Sequence, residues 1–121
     1  ADIKYPTDLS LLNEAREEAG RLVDELWSGA SGERKPRTYR KKARKAYLAV
    51  SKKRRPRAKT IRKAIKAQLG FLKRDISHID RFLAAGGVLS SRDKERLEVI
   101  RLLHGQQNEM RVEGKHSVKE R

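Results

Sequence analysis

The chain has no cysteine. Disulfides, thiolate zinc sites and cysteine nucleophiles are therefore excluded. No apolar run approaches the ~20 residues needed to span a bilayer, and residues 1–5 lack the pattern of a signal peptide. A cytosolic chain with no membrane partner is the expectation. Apolar residues are scarce as well. They make up 36% of the 121 residues against 39% charged, where ordinary globular domains hold about 45–50% apolar and about 25% charged. A large spherical core is not expected. Long helices with narrow apolar seams fit better, because a seam needs few apolar residues per turn.

Acid is missing too, over a long stretch. Residues 34–74 contain 19 Lys and Arg and not one Asp or Glu. Residues 1–33 carry a net charge of −5 and residues 75–121 a net +1, for a total of +15 and a pI of about 10.6. A block of one sign repels itself and gains nothing internally. It calls for an external polyanion, and nucleic acid is the commonest.

The length suits one domain, and the pattern predicts an all-α fold in four segments. Residues 1–33 read as an acidic amphipathic helix and loop. Thr7 and Asp8 are able to cap that helix, and Leu12, Ala15, Ala19, Leu22 and Leu26 then share one face from about Asp8 to Trp27. Its weak point is Gly20, which costs about 1 kcal/mol relative to alanine. Residues 34–55 form a basic segment whose helix runs from about Thr38 to Lys53, with Ala43, Ala46, Tyr47 and Val50 as a thin apolar stripe.

Residues 56–114 read as an antiparallel helical hairpin. Ile61, Ile65, Leu69 (or Gln68), Leu72, Ile76, Ile79 and Leu83 approach a coiled-coil seam from about Pro56 to Ala85, and Gly86-Gly87 stops it. Ser90 and Asp93 have the capping-box form. Leu97, Ile100, Leu103, Gln107 and Met110 continue a matching seam, which Gly114 is expected to end. A short connection makes the two helices antiparallel neighbours, although such a seam is also able to support self-association. Residues 115–121 form a polar tail.

Two clusters carry the candidate nucleic-acid contacts. One is Arg34, Lys35, Arg37, Arg40, Lys41, Lys42, Arg44 and Lys45. The other is Lys52, Lys53, Arg54, Arg55, Arg57, Lys59, Arg62, Lys63 and Lys66. Each phosphate that they neutralise releases counterions, which drives binding and makes it salt-dependent. Tyr39 and Tyr47 lie among them and are able to stack on bases or bond phosphates. The plainer reading is a solvated face, or a patch for an acidic protein. His78, His104 and His116 have no metal-ligand spacing. Asp75 and Asp80 fall on different faces of a helix, and Asp93, Glu95 and Glu98 look like helix-start and surface charges. No Ser/His/Asp arrangement or glycine-rich phosphate loop is present.

The run Asp2-Ile3-Lys4-Tyr5-Pro6-Thr7-Asp8-Leu9-Ser10-Leu11-Leu12-Asn13-Glu14-Ala15 resembles a stretch of bacterial insertion-sequence transposases with an RNase-H-like DDE catalytic domain. In that family the Tyr-Pro-Thr-Asp motif and its Leu-Leu pair follow the strand bearing the first catalytic aspartate. A long, basic, helical insertion comes next, and residues 110–121 look like the return to the catalytic sheet. The resemblance covers essentially the whole chain. It implies a piece whose catalytic aspartates and glutamate lie outside it, so no catalytic residue and no metal ligand is assigned here, and no cofactor is expected in this chain. The full-length family implies a divalent metal such as Mg, held by those carboxylates. Asp2 and Asp8 belong to the flanking motif.

The resulting expectation is a DNA-contacting helical module of a DDE-type transposase, bacterial and nucleoid-associated, inactive alone, with DNA and the rest of the catalytic domain as partners. The alternatives are a stand-alone helical RNA- or DNA-binding protein and a coiled-coil scaffold with an acidic protein partner.

Overall fold

The computed structural model describes the backbone of residues 4–28 and 36–120, and the side chains of residues 9–27 and 36–109. The fold is all-helical: α1 (Lys4–Ser28), α2 (Arg40–Ser51), α3 (Ala58–Ala84) and α4 (Ser91–Glu120), with no strand among the described residues. Arg34 and Lys35 lie outside them.

α1 and α3 form the central pair and run in the same direction. Leu9 and Ile61 share one end, Arg16 bonds Gln68 in the middle, and Leu26 lies beside Gly87 just beyond α3. α2 returns antiparallel along one side of this pair: Arg40 meets Asp24, the Ala43 carbonyl meets Gln68, and Val50 lies by Leu9 and Ile61. α4 returns antiparallel along the other side, with Asp93 against Arg21, Arg96 against Glu18 and Arg101 against Asp80. The topology is up-down-up-down. The expected α3–α4 hairpin is present, but α1 covers the larger part of α3's apolar stripe.

One core joins the helices. From α1 come Leu9, Leu12, Ala19, Leu22, Val23 and Leu26; from α3 Ile61, Ile65, Leu69, Leu72, Ile79 and Phe82; from α4 Leu97 and Ile100. Each large apolar side chain fully buried there contributes about 1.5–3 kcal/mol. Tyr47 and Val50 of α2 pack on its margin. Among the described residues no helix is long and apolar enough to cross a membrane.

The helix ends follow local chemistry, with three departures from expectation. α1 begins at Lys4, ahead of Thr7 and Asp8, because Pro6 falls in a first turn whose N–H groups have no intrahelical partner anyway. α4 continues through Gly114 to Glu120; a lone glycine costs a helix only about 1 kcal/mol. α2 is shorter than its pattern and starts after Tyr39, which has left-handed backbone (φ 53°) and makes no side-chain cap.

Elsewhere the signals hold. The Asp93 N–H donates to Ser90 Oγ at 3.2 Å and caps α4. At the end of α3, the Gly86 N–H donates to the Leu83 carbonyl and the Gly87 N–H to the Phe82 carbonyl. This is a Schellman turn, with Gly86 at φ 104° supplying the left-handed residue. A Cβ on Gly87 would lie 2.8 Å from the Phe82 carbonyl oxygen, so the turn also requires glycine there.

Candidate nucleic-acid interface

α2 is fastened to the central pair by polar contacts as well as by its thin stripe. Arg40 Nη2 bonds Asp24 Oδ2 at 2.9 Å, crossing the face of α1 at Gly20; a Cβ at Gly20 would meet that guanidinium at 2.9 Å. Gly20 is therefore the space through which Arg40 reaches α1, which sets a use against its cost to the helix. Gln68 Nε2 donates to the Ala43 carbonyl at 3.0 Å, and Arg16 Nε donates to Gln68 Oε1 at 2.8 Å. The Arg16 guanidinium also bonds Asn13. Arg74 stacks over the Tyr39 ring, 4.8 Å from its centroid, a favourable cation–π geometry.

Two ionisable groups beneath this clamp are deeply buried. Arg16 is 2% exposed and Asp75 1%. Burial pushes the Asp75 carboxyl up to about 7, against the pull of Arg16, Arg40 and Arg74, and its Oδ1 has no hydrogen-bond partner. Burial likewise lowers the Arg16 guanidinium from its ordinary value. His78 is held low by burial and by Arg81, whose Nη2 donates to His78 Nδ1 at 3.2 Å. His104 is lowered by burial and by Lys73. Among the described residues no group of His, Asp and Glu is arranged to hold a metal ion.

The basic residues themselves point outward. Between positions 41 and 66 every Lys and Arg is exposed. Lys41, Lys45 and Lys52, at spacings of four and seven, lie on the outer line of α2 and its C-cap, with Lys42 and Arg44 on its flanks. Lys53, Arg54, Arg55 and Arg57 occupy the link at the end of the bundle. Lys59, Arg62, Lys63 and Lys66 continue along the exposed side of α3. The first turn of α3 has no acid and no side-chain cap, so its free amides add to the positive field. Arg37 is exposed near the start of α2.

Arg40 differs from the rest, because its guanidinium is engaged by Asp24 and holds α2 in place. Tyr39 presents its ring to Arg74, and Tyr47 is half-buried against the core. Lys73 and Arg74 extend the exposed basic surface past Lys66; their place in the acid-free run was the signal that would have included them.

Comparison with known proteins returns no relative. No family model, no curated protein and no solved structure matches the chain.

Proposed function

We propose that this chain is a helical module that contacts duplex DNA through phosphates, using the outer face of α2, the 52–57 link and the first half of α3. One observation carries the reading. The cations from Lys41 to Lys66 are all exposed, and none forms an ion pair with a described carboxylate. Leaving so many like charges together opposes folding, and a polyanion relieves the repulsion by releasing its counterions. Such contacts fix position on the DNA and carry little base information.

The Tyr5-Pro6-Thr7-Asp8 motif and the flanking residues 2–15 support placing the module in a DDE-type transposase. That placement calls for a basic helical insertion, although residues 110–120, expected to lead back to a sheet, continue α4 instead. In this reading the chain supplies DNA contacts, and the catalytic carboxylates with their divalent metal belong to the remainder of the enzyme.

The test is a fluorescence-anisotropy titration against duplex DNA at several salt concentrations. Binding is expected to fall steeply with log salt. Replacing Arg54, Arg55 and Arg57 together by Glu is expected to weaken binding by about 100-fold or more at low salt and to flatten the log–log salt slope by about 3. The same substitution is expected to change stability by no more than about 0.5 kcal/mol, as exposed sites do. Unchanged affinity in the triple variant would sink the assignment. Binding abolished by an acidic protein competitor would point to a protein partner instead.

A further inference from the structure

Where α2 ends and α3 begins, a crevice of about 320 Å³ opens at the end of the bundle. That volume lies at the lower end of the range for small-ligand pockets, about 300–1,000 Å³. Leu9, Val50 and Ile61 give it an apolar lining and Tyr47 adds an aromatic ring, while Lys53 and Arg54 stand at its rim. The lining belongs to the hydrophobic core and its margin, and the rim belongs to the acid-free run. Beside it, α3 begins without an acid or a side-chain cap.

An apolar slot with an aromatic ring and a cationic mouth suits a group with a flat uncharged part and an attached anion. In DNA an unpaired nucleotide is such a group. Bases inside a duplex are stacked and do not offer themselves, whereas an unpaired base is free to stack on an aromatic ring. We infer that this crevice receives the base of one unpaired nucleotide at a DNA end, with its phosphate on Lys53 and Arg54. The inference rests on the proposed DNA contact and adds a preference for frayed or overhanging ends.

The experiment compares a blunt duplex with the same duplex carrying a short single-stranded overhang. The first unpaired base of the overhang is 2-aminopurine. The overhang is expected to bind about tenfold more tightly at equal salt, the worth of one base on an aromatic ring, and the 2-aminopurine emission is expected to fall on binding. Ser51 also borders the crevice and is exposed. Ser51→Trp is expected to fill the slot, remove the preference and keep the affinity for the blunt duplex, with circular dichroism reporting an intact fold. Equal affinity for both duplexes with unchanged emission overturns the crevice inference and leaves the phosphate surface standing. Absence of binding to either duplex at low salt overturns both.

Discussion

Where α4 lies against α1, charge is matched pair by pair. Arg21 reaches Glu18, Glu25 and Asp93, Arg96 reaches Glu18, and on the α3 side Arg101 pairs with Asp80. On the opposite side of the same central pair, α2 presents Lys41, Lys45 and Lys52 with no described carboxylate near enough to pair. Both sides are held to one core. The difference lies in what fastens each side. α4 adds buried Leu97 and Ile100 to the core and needs little else. α2 buries only Ala43 fully, and it is held by Arg40, by Gln68 and by the stacked Arg74 and Tyr39. Fastened by a few inward polar contacts, α2 keeps its outward cations for something else.

If inward polar contacts hold α2, Arg16 is the place to break the comparison. Arg16→Ala leaves the buried Gln68 Oε1 without its donor and removes a cation that acts on Asp75, and is expected to cost roughly 2–4 kcal/mol in urea unfolding, from an unsatisfied buried polar group and lost packing. A loss below about 1 kcal/mol would mean that the apolar margin alone holds α2.

Asp75 sharpens the comparison in the other direction. Its folded value of about 7 lies above the ordinary 3.8, so the folded state holds the proton more tightly. The stability from its neutral form is complete below about pH 3.8 and is lost as pH rises to about 7. Asp75→Asn keeps the neutral shape. It is expected to match the parent near pH 4 and to exceed it by roughly 2–4 kcal/mol above pH 7, from 1.36 kcal/mol per pKa unit. Parallel stability curves across that range would contradict the burial argument.

The smallest effect is expected on the matched side. Arg96 and Glu18 are about 52% and 29% exposed at their side chains, and Arg96→Ala is expected to change thermal stability by less than about 1 kcal/mol. A larger change would show that the α1–α4 pairs act as a network.

Much of this arrangement is legible in the sequence. The three- and four-residue spacing in α1 and α3 picks out most of the buried residues, Gln68 and Leu69 both included, but Ile76 and Leu83 are only half-buried while Phe82 lies in the core. The Ser90 cap and the Gly86-Gly87 stop are local chemistry and behave as such. What was not legible is which seam meets which. Periodicity marks an apolar face and says nothing of its partner, so α1 against α3 could not be read ahead of the α3–α4 neighbours.

Buried charge was hidden for a similar reason. Arg16 and Asp75 are ordinary helix residues by sequence, and only the packing of helices against one another takes them out of water. In the candidate interface, the exposed cations were legible from the acid-free run. The engagement of Arg40 by Asp24 was not, because it depends on the sixteen-residue return of the chain and on the missing Cβ of Gly20.

The parallel pairing of α1 with α3 also bears on the order in which the chain folds. Arg16 and Gln68 meet across 52 positions, whereas α3 and α4 are joined by a six-residue turn, residues 85–90. Closing a long loop carries the greater entropic cost, and distant contacts slow a two-state reaction. We expect the α3–α4 hairpin to nucleate and α1 to dock late, so that core substitutions in α1 chiefly hasten unfolding while those near the turn retard folding, a pattern that stopped-flow kinetics would separate.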